Sequence, residues 1–520
     1  MEDKTNSDLN KIKNVFSAYG PILIFALVGV FTLLNHEIWL DEARAWLVSK
    51  QFGYLDLITE TKSESHPFLW YWILRSVSLF TDQVMALQFT SFLFAAGAVV
   101  LLNFYSPFPA YLRVLLSLNY FLLFEYGVVA RNYSIEMFFL FLVCASWNDK
   151  FVFYKNRYPQ VYILFCSLLA ASHFYGTLIA TVFIGPFIYE WIKERRPIKE
   201  KNYYFYFFLA AIFYGSAIWL AIPDGYHHFG ILRPEWPHLH EILRSFYSVV
   251  KSSFAPEILD DYDLKANYNV IGSFAFLLLA IGYAFYAWLL RAHRQLMYLW
   301  LGVALAFTLM HLARSHEAVP PRHVGQYTLL FIATAWVGLG LRQVNRTLII
   351  AIGSLIFSLQ AYYGAKAIKL DFEYPYSDGK KTAEFILKEY PDYEIMPELA
   401  FLTSSVMAYL QRPYYDYEEG KSVLVSNLDP RLLKNVRLGG SPEKRLYFTD
   451  EKYLYERIHF VACNINPKIL VISSSPINSK NFITMNTQFV FGVDKALRPY
   501  ESFFIFKVNI NNLENFCSML

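Results

Sequence analysis

Charge is scarce in this chain. Only 17% of its 520 residues are charged, against about 25% in ordinary soluble domains. Cysteine is scarcer still: there are four, and no Cys-x-x-Cys pair. That excludes a zinc ribbon or a thioredoxin-like centre. Cys144 and Cys166 lie in apolar runs, whereas Cys463 and Cys517 lie near the C-terminus, where spacing alone leaves their pairing open. No arginine-rich patch with interleaved aromatics stands outside the apolar runs, which argues against nucleic acid as a partner. Internal repeats and low-complexity tracts are lacking. The segment Met1 to Tyr19 is polar, without the short apolar core and small-residue cleavage site of a secretory signal, so Pro21 to Leu34 is expected to be a retained first helix.

Apolar and aromatic residues are plentiful, at 55% and 19%, and they fall in runs. About 20 apolar residues cross the hydrocarbon core as a helix. The pattern predicts about eleven spans, at 18–35, 83–102, 111–127, 132–148, 159–172, 175–191, 203–222, 268–290, 296–312, 324–341 and 344–362. Net charge is only +3, but its distribution is informative. Lys193, Arg195, Arg196, Lys199 and Lys201 follow the sixth span, Arg291 and Arg294 the eighth, Arg342 and Arg346 the tenth, and Lys150, Lys155 and Arg157 the fourth. All fall on one side, which the positive-inside rule makes cytoplasmic together with the N-terminus.

The segment His66 to Phe80 is apolar but short and contains Arg75; as a span it would scatter the basic loops to both faces. It is therefore expected to lie along the outer interface, within one outer loop, 36–82. A second outer loop runs over 222–267. From about 363 the character changes. Ser377 to Tyr390 reads as a capped amphipathic helix, and Lys468 to Ser473 and Ser502 to Val508 read as strands. The expected organisation is a helical membrane domain, 1–362, and a small extracytoplasmic α/β domain, 363–520.

Ionisable residues gather at the junctions predicted to be external. Asp41, Glu42 and Arg44 follow the first span (HEIWLDEARAW), and His66 stands before Pro67. Arg131 and Tyr133 (ARNYS), His173 (SHFYG), and His316, Glu317, Arg322 and His323 (SHEAVPPRHV) follow in order. Ionisable groups at membrane depth are costly and usually line a cavity. Cations suit a phosphate headgroup, and a carboxylate beside them suits a general base acting on a hydroxyl. Each residue also has a plainer reading. Asp41 and Glu42 suit a helix N-terminus, the arginines suit interfacial anchoring, and His173 suits an interhelical hydrogen bond. His227, His228, His238 and His240 are spaced for no tight tetrahedral metal set.

The order D-E-x-R, H-P, A-R-x-Y, S-H-F-Y-G and P-R-H resembles the GT-C glycosyltransferases, above all the branch of protein O-mannosyltransferases and lipid A aminoarabinose transferases (glycosyltransferase family 39-like). YSDGKKTAEFI resembles the start of the soluble domain in bacterial members. The resemblance implies a polytopic GT-C fold in the inner (cytoplasmic) membrane. It implies inverting transfer of a sugar from a polyprenyl-phosphate carrier to a lipid, glycan or protein hydroxyl on the outer side. Asp41 becomes the general base. Glu42 orients the loop or shares that role, and Arg44 pairs with the carboxylates or the acceptor. His66 stands where the aminoarabinose branch carries a phosphate-contacting Lys. Because histidine is charged at neutral pH only when its pKa is raised above about 6.5, Arg131 and Arg322 are the preferred phosphate partners. No cofactor is implied. A divalent metal is not required for a single-phosphate leaving group, although Asp260, Asp261 and Asp263 offer oxygen ligands. The rival classes are a lipid-linked sugar flippase, which needs polar groups along a path to both faces, and a non-catalytic envelope-assembly protein.

Overall fold

The computed structural model describes residues 2–62, 64, 66–193, 202–221, 238–258, 268–314, 319–341, 344–426, 436–439, 446–449, 451–474, 487–498 and 501–518. The helices of the first half are α1 (Glu2–Asn35), α2 (Leu40–Gln51), α3 (Asp56–Glu60), α4 (Leu69–Ser78), α5 (Met85–Tyr105), α6 (Ala110–Ser117), a π-helix (Tyr120–Val128), α7 (Tyr133–Ala145), α8 (Pro159–Ser172), α9 (Phe174–Lys193) and α10 (Asn202–Ala221). Then come α11 (Leu239–Phe254), α12 (Tyr268–Leu290), α13 (Arg294–Arg314), α14 (Pro321–Gly340) and α15 (Arg346–Glu373).

The long apolar helices are inverted relative to soluble ones, since they turn apolar side chains outward. Leu23, Leu27, Phe31 and Leu34 form an exposed stripe on α1, and Val270, Phe274, Leu277, Leu278 and Ile281 do the same on α12. Water would penalise such surfaces, but a bilayer accepts them. Among the described residues, helices within 18–35, 85–105, 270–290 and 346–373 are long and apolar enough to cross a membrane by length and composition alone.

Two expectations from hydropathy change. The span 111–127 is not one regular helix. It breaks at Leu118–Asn119, where the Asn119 side chain accepts the N–H groups of Phe121 (2.8 Å) and Leu122 (3.4 Å), and continues with π winding. Hydropathy reports burial, not winding, and π segments recur at functional sites. The last long helix runs past 362 to Glu373, because AYYGAKAIKLDFE contains no proline and the first one downstream is Pro375.

The loop 36–82, expected on the outer side, folds as α2, α3 and α4. α4 lies within the segment expected at the interface and buries Trp70, Tyr71 and Leu74. The second loop expected on the outer side, 222–267, contributes α11, whereas Asp260, Asp261, Asp263, His227 and His228 lie outside the described residues, as do Arg195, Arg196, Lys199, Lys201 and Arg342. His238 and His240 are exposed at the start of α11.

The C-terminal part contains α16 (Gly379–Glu389) and α17 (Ser404–Leu410). Its strands are β1 (Glu394–Pro397), β2 (Tyr414–Asp416), β3 (Lys421–Val423), β4 (Val436–Gly439), β5 (Leu446–Thr449), β6 (Ile469–Ser473), β7 (Thr487–Val493) and β8 (Phe503–Val508). The central sheet has the order β1-β6-β8-β7. β1 pairs parallel to β6 with Ile395 opposite Leu470, and β8 runs antiparallel to both β6 and β7. Cys463 and Cys517 form a disulfide that ties the C-terminal segment to helix Glu451–Asn464. The expected cap of α16 is wired differently. The Asp378 carboxylate accepts the N–H groups of Lys495 and Ala496, both at 3.0 Å, while the Ser377 hydroxyl accepts the N–H of Gly379 at 3.0 Å.

This domain is keyed onto α2. Ile38 N–H donates to Tyr409 Oη (3.1 Å), and Leu40 N–H to Glu501 Oε1 (2.9 Å). Gln51 Oε1 accepts the N–H groups of Leu424 (2.7 Å) and Val425 (3.0 Å).

Candidate active site

The site is built where α2 begins, where the π-helix ends and where α14 starts. Asp41 lies in the first turn of α2. The loop Val129–Asn132 turns the chain out of the π-helix and presents Arg131, which makes an ion pair with Asp41 Oδ2. Arg131 Nη2 is also 3.3 Å from His66 Nε2. Arg322, at the N-terminus of α14, brings Nη2 to 4.0 Å from the same Asp41 oxygen. Its position is fixed from below, because Tyr126 Oη donates to the Arg322 carbonyl at 2.7 Å and packs where a Cβ on Gly325 would collide with it. Asp41, Arg131 and Arg322 keep 25%, 10% and 19% of their side chains exposed, enough to meet a ligand from outside.

Burial alone would push the Asp41 carboxyl up. The positive charges of Arg131, Arg322, His66 and Arg498 outweigh that and hold it below the usual carboxylate range.

Beneath the charges lies a layer of rings. Tyr133 sits 5.6 Å below the Arg131 guanidinium, 4.7 Å from the His173 ring, and 3.4 Å from His323 Nδ1 through its hydroxyl. His66 and His173 are 5.4 Å apart, and His173 Nδ1 is 3.6 Å from the buried Glu136. The expected residues Asp41, His66, Arg131, Tyr133, His173, Arg322 and His323 thus converge in space. His316 and Glu317 lie outside the described residues.

Arg44 is elsewhere. It donates to Glu64 Oε1 at 2.7 Å and to the Ser426 carbonyl at 3.3 Å, bracing α2 against the loop and the C-terminal domain instead of meeting Asp41 or Glu42. Glu42 is fully buried and committed. Oε2 accepts the Trp39 N–H at 3.2 Å and sits 3.2 Å from His36 Nε2, while Oε1 accepts the Ala130 N–H at 2.5 Å. It therefore fixes the arginine-bearing loop against the start of α2. His36 extends the chain of contacts to Asp371 at the end of α15, 3.1 Å away.

This buried histidine, flanked by two carboxylates, has a pH signature. Burial lowers its pKa, but Asp371 and Glu42 more than compensate and raise it from 6.5 to about 10. A folded pKa above the unfolded one contributes stability that is complete below pH 6.5 and lost as pH rises through about 10. Detergent-solubilised protein should therefore lose melting temperature between pH 7 and 10 more steeply than His36→Gln. Parallel curves in a thermal-shift series would contradict the pairing.

Sequence reasoning missed three contributors. Trp39 lays its indole beneath the guanidiniums of Arg131, Arg322 and Arg498, at 6.0, 5.4 and 4.9 Å. Arg498 and Glu501 come from the C-terminal domain, more than 450 residues downstream of Asp41. Their only visible signal was that they flank a proline just before a predicted strand. Among the described residues no group of three His, Cys, Asp or Glu side chains is placed to hold a metal ion.

The sequence matches no protein-family model and no curated protein. The structure is similar to the crystal structure of ArnT from Cupriavidus metallidurans bound to undecaprenyl phosphate, with a TM-score of 0.50 and 12% identity, over 95% of this chain and 99% of that one. The chain therefore has the fold of that protein, the GT-C fold, over 95% of its length.

Proposed function

We propose that this protein is an inverting glycosyltransferase that moves a sugar from a polyprenyl-phosphate carrier to an acceptor hydroxyl at the outer face of the cytoplasmic membrane. The observation that carries the reading is the Asp41 carboxylate held among Arg131, Arg322 and His66. Likeness to a fold whose solved member binds undecaprenyl phosphate supports the choice of donor.

In this reading the carrier phosphate enters against Arg131 and Arg322. Asp41 accepts the proton of the acceptor hydroxyl as that oxygen bonds to the anomeric carbon. The bond from that carbon to the phosphate oxygen breaks with its electron pair, so the phosphate goes from one negative charge to two. Guanidiniums already aimed at the oxygen that gains charge lower the barrier without reorganising. We assign neutralisation of the leaving group to these arginines and not to a metal ion. Tyr133, His173 and His323 support Arg131 from below, and Glu42 sets the angle of its loop. Purified protein given undecaprenyl-phosphate sugars and followed by mass spectrometry should release bare undecaprenyl phosphate. Persistent absence of release across donors and acceptors would remove the reading.

The depressed Asp41 carboxyl makes a weak base until the donor arrives. An anion bound at the same arginines spends their field and raises the carboxyl pKa towards a useful range. The acidic limb of kcat/KM, which reports the free enzyme, should therefore lie below the ordinary aspartate range, and the acidic limb of kcat at a higher pH. Coincident limbs would show that donor and base do not share these cations.

A further inference from the structure

The membrane domain does not finish its own anion cradle. We propose that the C-terminal domain supplies its third cationic arm, Arg498, as a binding residue for the carrier phosphate; this rests on the transferase reading above.

The first argument is convergence. Arg131 leaves the π-helix, Arg322 begins α14 and Arg498 lies between β7 and β8, yet all three guanidiniums meet one indole, that of Trp39, with Arg498 the nearest at 4.9 Å. Arg498 also adds to the field that holds the Asp41 carboxyl ionised. A residue that served only to pack the C-terminal domain would have no reason to bring its charge to this point.

The second argument is preorganisation. Arg498 is held by both ends. Its Nε and Nη2 donate to Tyr376 Oη at 3.0 and 2.6 Å, and its side chain lies 5.1 Å from the Tyr376 ring. The backbone on either side is pinned to the segment that links α15 to α16. Leu497 N–H donates to the Pro375 carbonyl at 2.8 Å, and Asp378 N–H to the Glu501 carbonyl at 2.9 Å. Glu501 then reaches across to the N–H of Leu40, beside Asp41. The arm is thus locked both to its own domain and to the start of α2, as a preformed electrostatic site requires.

The third argument is charge balance. The donor is a phosphodiester with one negative charge and the released carrier a monoester approaching two. The additional guanidinium meets the charge that appears as the bond breaks, so its loss should weaken the product more than the donor.

The test uses full-length protein and undecaprenyl phosphate as probe. Arg498→Gln is shorter but leaves an amide N–H near the position of Nε to donate to Tyr376, and removes the charge; Arg498→Lys keeps the charge. Gln is expected to weaken undecaprenyl phosphate binding by roughly tenfold or more and to raise the donor KM, with binding much less salt-dependent. Lys should recover most of the affinity. Wild-type affinity in Arg498→Gln, or an equal loss in both variants, would overturn the proposal while leaving the transferase reading intact. Wild-type protein that does not bind the probe at all would sink both.

Discussion

Asp41→Asn should stop sugar transfer, lowering kcat by at least about a hundredfold, the lower bound for losing a positioned general base, while the protein folds and inserts as before. Asparagine keeps the size of the side chain and an oxygen to accept from Arg131, so the ion pair is replaced by a hydrogen bond and not by a hole. It cannot take the acceptor proton. The same change removes the only negative charge in direct contact, among the described residues, with both Arg131 and Arg322. Undecaprenyl phosphate should consequently bind as tightly as before or more tightly. That pairing, lost turnover with kept or improved carrier binding, separates a missing base from a damaged site. A well-folded Asp41→Asn protein with full turnover would take Asp41 out of the chemistry.

Glu42→Ala is expected to act through stability. It strips three contacts at once, from Trp39, Ala130 and His36, and strands a buried, protonated histidine beside Asp371. Removing one partner of a buried ion pair costs roughly 3–5 kcal/mol, enough to exhaust a large part of the stability of a typical domain. Little folded protein should accumulate. Glu42→Gln keeps the size of the side chain and one oxygen to accept from one of the two backbone N–H groups, so it should accumulate better than Glu42→Ala, with residual transfer. If Glu42→Ala instead folds like the wild type and is simply inactive, Glu42 belongs to the reaction and its bracing role is wrong.

Adjacent acidic residues in a sequence invite a shared role, and Asp41 and Glu42 illustrate why that fails on a helix. Neighbours are rotated by about 100°, so one carboxylate faces the arginines while the other turns inward to His36. Arg44, expected to pair with the carboxylates or the acceptor, meets neither Asp41 nor Glu42. The fold of 36–82 brings Glu64 to it instead, a contact between loop segments that no periodicity encodes.

What hydropathy made visible was the apolar helical character of most of the chain, and between its runs the junctions that carry Asp41, His66, Arg131 and Arg322. These signals are strong because a bilayer punishes every misplaced charge. The π winding before Arg131 was not visible, since the residues of 120–128 are as apolar as those of any α-helix. Arg498 and Glu501 were hidden for the opposite reason. In a water-exposed domain charged residues are ordinary, so nothing in their local sequence marks the two that reach back to α2.

The account stands on one arrangement: a carboxylate base and a guanidinium cradle sharing a single carrier phosphate. The most direct test is a structure of the full-length protein, in nanodiscs, with undecaprenyl phosphate bound. The phosphate should lie within hydrogen-bond reach of Arg131 and Arg322, about 2.7–3.2 Å, on the side of Trp39 that faces Asp41, with the polyprenyl tail leaving between helices towards lipid. A phosphate seated away from both arginines, or on the face that carries Lys193, would contradict it.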